Sequence, residues 1–510
     1  MSGANESASS YNYVTFIYLL AKLLAVLSGS GRNRLQVFES DSLRHAVLKD
    51  EPMSTIELPY LAQGPLAEAF AEQSRDFAFL YDRGTFAAWV GTRWSIGDPE
   101  NLLLKRAVNN YLGGLFSQYP EPTGKNDYRR VLLDSRFRQG VVDQVKPLLP
   151  AWKFAEEFDS DPLLLGVPGN QVLDLRTGTQ REMMRVDRVT KRANVSPGAD
   201  CKPMRFLQFM REITLGDDAL SAYLLRYCGY VLTGYTREHC LPFWYGHGAN
   251  GKGTLINVLQ HIMGWEYGTA LRMSNLAAKK NEDDSQRRII AKLCGARLAT
   301  ANEGNAQVKL DMALLKSLAS SDLLAGAHLY EREFTFQPSH KLIIATNHKP
   351  DLEVDTAARR RVHLVPFDAE FTGQNEEKGL EDTLKKEGPG IMALLIQSCL
   401  EWQSIGLAAP ERVTRATRQL FEELDPIGRF AAERLVEAPD SFLATEEISA
   451  AYATFLRDND IEDSPDHRTL MGRLKSLPGA KQVTRVGSDR VRHREIVGRK
   501  IVEPIDTRHT

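Results

Sequence analysis

The chain has little cysteine, and what it has is not arranged for a disulfide framework or a zinc site. Five cysteines are scattered over 510 residues, with no Cys-x-x-Cys pair and no histidine at metal-ligand spacing. An odd, scattered set of thiols is typical of a reducing compartment. These absences argue against a small disulfide-bonded secreted protein and against structural zinc, and they predict a cytoplasmic location.

A dominant charge is also missing. The formal net charge is −2, and the apolar and charged fractions, 43% and 25%, are ordinary for a soluble globular protein. The chain therefore lacks the overall basic charge that would indicate a nucleic-acid binder. A local basic patch can still bind phosphates, so the near-neutral charge excludes only binding that depends on the charge of the whole chain.

A membrane-spanning run is missing too. The most apolar stretch, Tyr11 to Leu27, falls short of the roughly 20 apolar residues that a span needs, and Lys22 interrupts it. No basic segment precedes it and no clear cleavage site follows, as a signal peptide would require. We predict a helix that is buried or faces a partner, within an N-terminal extension over residues 1–42, and no membrane association.

Hydrophobic patterning divides the rest of the chain. In "FAFLYDRGTFAAWVG", apolar runs flank a turn signal at 82–84 (Asp-Arg-Gly), which predicts a β-hairpin, and "NQVLDLRTG" predicts a second hairpin-like element. Residues 203–234 are apolar at helical spacing, with stop signals at Gly216 and Gly234, so we predict two consecutive helices. Over residues 241–367, short β-rich runs alternate with helices, which predicts a parallel sheet.

The stretch "FWYGHGANGKGTLINVLQ", residues 243–260, has the pattern of an apolar strand, a glycine-rich loop and the start of a helix. Its spacing fits G-x-x-x-x-G-K-[ST], the pattern of phosphate-binding loops, except that Gly253 follows the lysine and the hydroxyl arrives at Thr254. We predict that the nucleotide is bound by Gly246, His247, Gly248, Ala249, Asn250, Gly251, Lys252, Gly253 and Thr254.

The chemistry of such a loop gives its residues their roles. Gly246, Gly248 and Gly251 permit the curled backbone whose N–H groups surround phosphates. Lys252 would reach the terminal phosphates, and Thr254 would help to hold Mg²⁺. A glycine-rich turn with an incidental lysine is the alternative, but strand, loop and helix occur in the order that a nucleotide site requires. Small nucleotide kinases share the "GKGT" ending, yet they place the loop near their N-terminus.

Three polar features follow at the ends of predicted elements. Glu303 ends the strand in "GARLATANEGN", where an acid can hold the Mg²⁺ shell and orient the attacking water. Asn347 ends the strand in "HKLIIATNHKP", where an amide can sense the γ-phosphate or position water. Arg359, Arg360 and Arg361 precede the strand in "DTAARRRVHLVPF", and an arginine finger of this kind stabilises the transferring phosphoryl group, often from a neighbouring subunit. Each feature alone also fits a surface loop or a solvated face.

Taken in order, these stretches resemble the superfamily 3 helicases, in the branch of the phage and plasmid primase-helicases and the poxvirus primase-helicase. The resemblance rests on "GHGANGKGT", "RLATANE", "LKSLASSDLLAGAHLYEREFTFQPSHKL", "IIATNHKP" and "RRRVHLVPF". Upstream, "LLLGVPGNQVLDLRTGT" through "YLLRYCGYVLTG" is similar to the domain that precedes the helicase core in that branch. The resemblance covers roughly residues 70 to 370.

The resemblance implies an α/β fold with an AAA+-like P-loop core. A mixed, mainly helical N-terminal region would precede the parallel sheet of that core, and a small winged-helix domain would follow it. We expect an N-terminal extension at 1–42, an N-terminal α+β domain of primase-helicase type at 43–200, a helicase ATPase core at 201–375, a helical connector at 376–440 and a winged-helix-like DNA-binding domain at 441–510.

The resemblance also implies an ATP-dependent DNA helicase that forms a hexameric ring and translocates on single-stranded DNA, in phage, prophage or plasmid replication in the bacterial host cytosol. ATP and Mg²⁺ would bind between subunits, with Lys252 on phosphate, Glu303 as the motif B acid and Asn347 as the motif C sensor. Arg360 or Arg361 would be the finger from the neighbour. A ring multiplies a few basic side chains around the strand, which reconciles DNA binding with a near-neutral chain.

Members of this family carry a hairpin between the acid and the sensor, and it projects basic and aromatic side chains into the ring pore. In this chain the segment is "DLLAGAHLYERE". Relatives usually show an arginine near Ala327, where this chain has none. The resemblance therefore assigns DNA contact to the nearest residues, His328, Tyr330 and Arg332.

The last domain has the pattern of two helices followed by two strands that flank 487–489 (Gly-Ser-Asp). This pattern suggests a winged helix, and relatives often end in a similar domain. Arg490, Arg492 and Arg494 cluster in the hairpin, where they fit phosphate contacts on duplex or forked DNA.

A second class of function fits the same motifs. A nucleotide-dependent DNA-binding initiator or remodelling ATPase would need the loop, the acid and the arginines without processive unwinding. The first ~170 residues show no evident acidic catalytic cluster, and the part before Leu43 is short. We therefore expect no priming activity and a separate primase or polymerase as a partner.

Overall fold

The computed structural model describes residues 58–97, 101–123, 127–153, 157–198, 200–278, 284–302, 309–329, 333–373, 377–459, 461, 466–477, 480–486 and 492–502. The N-terminal extension with its apolar stretch lies outside these ranges, as do Glu303, Tyr330, Arg332 and Arg490. The predictions about them stay predictions. All elements named below belong to the compact unit that begins at Pro59.

The described residues of the N-terminal region form three α-helices and two small sheets. Its elements are α1 (Gln63–Gln73), β1 (Phe77–Leu80), β2 (Thr85–Trp89), β3 (Trp94–Ile96), α2 (Leu102–Phe116), α3 (Ser135–Val145), β4 (Ala151–Trp152), β5 (Leu164–Val167), β6 (Gln171–Asp174) and β7 (Thr179–Glu182). The first predicted hairpin is confirmed, because β1 and β2 pair antiparallel with Leu80 opposite Thr85. The second is confirmed as β6 and the turn into β7, which pair antiparallel, and β5 pairs antiparallel with the other side of β6.

The core begins with the two predicted helices, and its described residues form eleven further α-helices and strands. They are α4 (Met204–Ile213), α5 (Asp218–Val231), β8 (Leu241–Tyr245), α6 (Lys252–Tyr267), β9 (Gly268–Arg272), α7 (Asp284–Lys292), β10 (Leu298–Asn302), α8 (Met312–Leu318), β11 (Leu324–Gly326), β12 (Phe334–Phe336), β13 (Lys341–Thr346), α9 (Thr356–Arg361) and β14 (Val362–Pro366). The end of α4 agrees with the stop signal, since Gly216 has φ +76°.

The predicted parallel sheet is confirmed. Its five strands lie in the order β14-β8-β13-β10-β9, and every neighbouring pair is parallel. All six residues of β13 are buried, as are the first four of β8 and of β10. Strands covered on both faces give near-continuous apolar runs of this kind. The carboxyl ends of the strands therefore lie along one edge, where ligands of open α/β sheets bind.

Two buried cations hold the C-terminal end of α5 against this sheet. Arg297 and Lys341 are each 4% exposed, and they donate to the carbonyl oxygens of Leu232 and Thr233. Burial lowers the pKa of Lys341 well below its usual value. Carbonyl groups at a helix C-terminus carry partial negative charge, so both basic side chains lie where the helix favours a positive charge.

The N-terminal region is joined to the core by polar contacts around the end of α6. Arg93 Nη1 lies 2.5 Å from Glu266 Oε2, and Lys191 Nζ donates to the carbonyl oxygen of Glu266 at 3.0 Å. The backbone N–H of Asn194 donates to the carbonyl oxygen of Ile262 at 2.9 Å. Contacts from two separate segments, at Arg93 and at residues 191–194, therefore join the two regions.

Four helices follow the core and lead to a last small unit. They are α10 (Leu380–Lys386), α11 (Gly388–Ile405), α12 (Glu411–Leu424) and α13 (Pro426–Arg434), followed by β15 (Leu435–Ala444), α14 (Thr445–Asp458), α15 (His467–Lys475), β16 (Lys481–Val486) and β17 (Arg492–Ile501). The strands form an antiparallel sheet in the order β15-β17-β16. The two helices and two strands occur where the sequence predicts them, and β15 begins before the expected boundary at 441.

One carboxylate connects the core to this last unit. Asp425 Oδ1 accepts from the backbone N–H of Gly428 at 2.9 Å, which caps α13. Asp425 Oδ2 accepts from Arg359 of the core at 3.0 Å and from Arg473 of α15 at 2.8 Å. The Asp425 side chain is only 11% exposed, whereas both guanidinium groups are nearly half exposed.

Replacing Asp425 with alanine is expected to lower the free energy of unfolding by about 2 kcal/mol, because a helix cap and two partly screened ion pairs are lost together. Asp425→Asn keeps a capping oxygen and should recover about half of that loss. Chemical denaturation of both variants measures the difference. Glu423→Ala is the matched control, since Glu423 makes one exposed ion pair, with Lys349. Unfolding of Asp425→Ala at the parental midpoint would contradict the role of this carboxylate.

Candidate nucleotide-binding site

The glycine-rich loop runs from the end of β8 to the start of α6, and two of its glycines are required by the space around them. A Cβ at Gly246 would lie 2.1 Å from the carbonyl oxygen of Phe367. Gly251 has φ +86°, and a Cβ there would lie 2.4 Å from Ile213 Cγ2 of α4. Because Gly251 immediately precedes α6, the loop enters the helix through a left-handed residue. The strand, loop and helix predicted from the sequence are therefore present.

The Asn250 side chain holds the loop in place through hydrogen bonds. It is 3% exposed, and Nδ2 donates to the carbonyl oxygens of His247 at 3.0 Å and Phe367 at 3.2 Å. The backbone N–H of Phe371 donates to the carbonyl oxygen of Ala249 at 2.7 Å. The segment after β14 thus closes over the loop from one side. A loop whose shape is set before a ligand arrives loses less conformational entropy on binding.

Lys252 lies inside the loop and is 5% exposed. Its Nζ donates to the carbonyl oxygen of Gly246 at 2.5 Å, to Asn250 Oδ1 at 3.0 Å and to Asn347 Oδ1 at 3.4 Å. These three acceptors are uncharged oxygens. An ammonium group held in this way is oriented by the loop and can neutralise an anion that enters it.

The outer part of the loop offers room for a ligand. His247, Gly248 and Ala249 are exposed. A Cβ built on Gly248 or on Gly253 would meet nothing within 4 Å. The glycine-rich curve, the buried lysine and the start of α6 together fit a phosphate group, which backbone N–H groups and a helix N-terminus bind well.

The sheet brings the predicted loop and sensor to one edge. Tyr245, the last residue of β8, is opposite Thr346, so Asn347 follows directly at the height of the loop. Asn302, the last residue of β10, is opposite Ala345. Glu303 is the next residue along the chain and lies outside the described residues. Lys252 and Asn347, which are 95 positions apart, are brought within hydrogen-bond distance.

The arginine triplet lies at the opposite end of the strands, where their amino ends are. It forms the last turn of α9, and Val362 directly after it is opposite Leu241, the first residue of β8. Five strand residues span about 15 Å, which is farther than one arginine side chain reaches. These arginines are therefore remote from the Lys252 of the same chain.

The three arginines have different surroundings. Arg359 is paired with Asp425 and lies over the ring of Phe421 at 5.1 Å. Arg360 is exposed, and its Nε donates to the carbonyl oxygen of Thr356 at 3.3 Å. Arg361 is half-buried, and within the described part of the chain its Nε has no hydrogen-bond partner. The guanidinium groups of Arg360 and Arg361 do not pair with Asp425.

The arginine helix is held at its start. The backbone N–H of Ala358 donates to Asp355 Oδ1 at 2.6 Å, which caps the helix, and Lys316 Nζ lies 2.6 Å from Asp355 Oδ2. The hydrogen bond from Lys316 and then that from Ala358 lower the pKa of the Asp355 carboxyl below its usual value. Asp355 and Asp425 therefore fix the helix that presents Arg360 and Arg361.

Of the predicted DNA-contacting residues, the structure describes the side chain of His328 alone. His328 is exposed beyond β11 and stacks on Phe334 of β12, with ring centroids 5.5 Å apart. β11 and β12 pair antiparallel, so the predicted hairpin is present. Arg492 and Arg494 lie on β17, opposite Val486 and Thr484. Of their side chains nothing is described.

Sequence reasoning missed the fastening role of Asn250 and the junction at Asp425. Asn250 gives no local signal, because its partner Phe367 lies 117 positions away. Asp425 has a weak one, since an Asp followed by Pro426 is a helix start. Its partners on α9 and α15 are not readable from the pattern.

Exchanging the residues after the lysine tests which hydroxyl serves the site. Thr254→Val should lower Mg²⁺-dependent nucleotide hydrolysis at least about tenfold, because the residue keeps its shape and loses its oxygen. Gly253→Ser in that background should restore part of the activity, since a Cβ at Gly253 meets open space. Hydrolysis rates titrated with Mg²⁺ measure both effects. Parental Mg²⁺ dependence in Thr254→Val would show that Thr254 is not the metal-binding hydroxyl.

Two family models and several known proteins match parts of the chain. Residues 67–215 match the model described as D5 N terminal like, and residues 244–361 match a family of unknown function (DUF5906). Among similar proteins, "Putative helicase L207/L206" of Acanthamoeba polyphaga mimivirus is 23% identical over 455 residues, which cover 78% of this chain and 47% of the relative. "Putative primase C962R" of African swine fever virus (isolate Warthog/Namibia/Wart80/1980) is 20% identical over 486 residues, or 89% of this chain and 48% of the relative.

"Primase D5" of fowlpox virus (strain NVSL) is 26% identical over 148 residues, which cover 28% of this chain and 18% of the relative. These matches support a primase-helicase family of the D5 type, as the resemblance of the motifs predicts. The chain spans about half the length of the mimivirus and African swine fever virus relatives.

Among solved structures, the A form apo structure of the NrS-1 C-terminal region is similar with a TM-score of 0.48 and 12% identity, over 86% of this chain and 100% of that one. A second structure of that region has a TM-score of 0.49 and 12% identity, over 86% of this chain and 99% of that one. In the described part of this chain, no helix combines the length and the apolar character that crossing a membrane requires.

Proposed function

We propose that the chain is an ATP-dependent DNA helicase of superfamily 3 type, which translocates on single-stranded DNA as a hexameric ring during phage, prophage or plasmid replication. The observation that carries this proposal is the division of the site between the two edges of one sheet. Lys252 and Asn347 meet at the carboxyl edge, whereas Arg360 and Arg361 lie at the amino edge.

A head-to-tail ring unites the two half-sites. In such a ring every interface is the same, and one face of each copy meets the opposite face of the next. The arginine helix of one copy would then approach the loop of its neighbour. The AAA+-like core of this proposal is supported by a parallel sheet with the loop at its carboxyl edge.

Each residue of the proposed site would have its own role in ATP binding and hydrolysis. Lys252 and the backbone of the loop would bind the terminal phosphates of ATP, and Asn347 would orient the attacking water. Thr254 and Glu303 would hold Mg²⁺, which offsets the charge on the phosphate oxygens when it is bound. Arg360 or Arg361 of the neighbouring copy would stabilise the negative charge that spreads over the transferring phosphoryl group.

Strand displacement on a forked DNA substrate tests the proposal. We expect the parent to separate the strands only in the presence of ATP and Mg²⁺, and Lys252→Ala to leave them paired. DNA-stimulated ATP hydrolysis without strand displacement would instead identify an initiator or remodelling ATPase. Phosphate transfer to a nucleoside monophosphate would contradict both and indicate a kinase.

A further inference from the structure

Helix α7 lies directly against the hairpin of β11 and β12. A Cβ at Gly326 would lie 2.8 Å from the backbone nitrogen of Ala291, so the helix and strand meet without room for a side chain. The backbone N–H of Ala327 donates to the carbonyl oxygen of Arg287 at 3.3 Å. The helix therefore runs antiparallel to β11, with Arg287 nearer the tip of the hairpin than Ala291.

The basic side chains of this region are on the helix. The described residues of the hairpin, 324–329 and 333–336, include no lysine or arginine. On α7, Arg287, Arg288 and Lys292 are all exposed. Arg288 and Lys292 are four residues apart and share one face of the helix. Arg287 lies on the side that faces the hairpin, because Ala291, four residues on, packs against Gly326.

The contact between the helix and the hairpin is electrostatically weak. Arg287 Nε lies 3.5 Å from Glu333 Oε2, and the two side chains are 58% and 48% exposed. Exposed pairs of this kind contribute little to stability, so a phosphate can replace the carboxylate as the partner of Arg287. Beside this pair, His328 is stacked on Phe334 at 5.5 Å.

We propose that α7 and His328 form one surface for single-stranded DNA, with Arg287, Arg288 and Lys292 on the phosphates and the His328 ring against the bases. Exposed cations on the helix and an aromatic ring on the hairpin that packs against it supply the two kinds of contact a single strand takes, to its phosphates and to bases that are free to stack. A duplex keeps its bases paired and offers no stacking partner. This inference rests on the proposed function. It assigns the contacts with the DNA backbone to a helix that none of the sequence motifs indicated.

The double variant Arg288→Gln/Lys292→Gln tests the phosphate contacts. For single strands, each lost phosphate contact makes the negative slope of log affinity against log salt shallower by about 0.7. We expect the slope for a labelled oligo-dT strand to become shallower by about 1.4 and the affinity at low salt to fall at least tenfold. ATP hydrolysis without DNA should stay at the parental rate.

Arg415→Gln/Arg418→Gln is the matched control. Both residues are exposed on α12, and Arg418 makes a similarly exposed pair with Glu411 at 3.5 Å. The α12 helix contacts β14, at the opposite side of the sheet from β9, through the hydrogen bond from Leu364 N to Thr417 Oγ1. The control should bind oligo-dT with the parental affinity and slope. An equal loss in the control variant would overturn the assignment to α7.

Glu333→Gln gives a test in the opposite direction. Removing this carboxylate releases Arg287 and removes a charge that repels phosphate, so binding of oligo-dT should tighten about threefold. Weaker binding would show that the pair only holds the hairpin in place, and would overturn the assignment of Arg287.

The two levels of the proposal fail separately. If the parent binds oligo-dT and hydrolyses ATP but the α7 double variant keeps its affinity and salt slope, the α7 surface is wrong and the proposed function stands. If the parent binds no single-stranded DNA, the proposed function fails together with this surface.

Discussion

Lys252→Ala is expected to lower ATP hydrolysis at least about 100-fold, the scale seen when one preorganised charge-stabilising donor is removed from an active site. The reason is the position of the ammonium group, which is 5% exposed and held on Gly246, Asn250 and Asn347 at the centre of the loop. No other part of the loop offers a cation at that point. The measurement is phosphate release with and without single-stranded DNA.

Lys349→Ala is the control for this prediction. Lys349 follows the same strand end two residues after Asn347, but its ammonium group is exposed and paired with Glu423 at 2.5 Å. Its loss should change the rate less than about twofold, because an exposed pair on the surface contributes little. Equal effects of the two substitutions would contradict a specific phosphate-binding role for Lys252.

Arg360→Ala is expected to lower ATP hydrolysis by about 10³-fold while ATP binding stays near the parental affinity, because an arginine finger acts on the charge of the transition state. Arg360 is exposed, and its Nε donates to the carbonyl oxygen of Thr356 within the same helix. Truncating it should therefore leave the fold intact. Equilibrium binding of labelled ATP and phosphate release, measured on the same preparation, separate the two effects.

Arg361→Ala and Arg359→Ala complete the comparison. If the finger is Arg361, the large loss of ATP hydrolysis is expected for Arg361→Ala instead. Arg359 is committed to Asp425, so Arg359→Ala should act mainly on stability. Full hydrolysis by both Arg360→Ala and Arg361→Ala would remove the arginine triplet from the mechanism.

The parts of the site that sequence predicts are the local ones. The loop between β8 and α6 has a conformational requirement that glycine meets, and a Cβ at Gly246 or Gly251 would collide with neighbouring atoms. Asn347 comes directly after a buried six-residue strand, so the apolar run locates it at the end of the strand. The hairpin at 77–89 follows in the same way from its turn residues. Local chemistry of this kind leaves a readable pattern.

The parts that sequence does not predict depend on distant contacts. The parallel pairing of β14 with β8 places Arg360 at the amino ends of these strands and Lys252 beyond the carboxyl end of β8, and no single segment encodes that pairing. Asp425 connects α9 with α15, whose residues are 66 and 48 positions away from it. The contact of Gly326 with Ala291 places a basic helix beside the hairpin. Such contacts are set by packing, which hydrophobic periodicity constrains only weakly.

The shared site is tested most directly by mixing Lys252→Ala with Arg360→Ala, each inactive alone, and measuring ATP hydrolysis of the mixture. In a ring with independent sites, an intact loop meets an intact arginine at about one interface in four of a 1:1 mixture, so about a quarter of the parental rate should return. If the mixture stays at the level of the separate variants, the ATP site is not completed by a neighbouring copy.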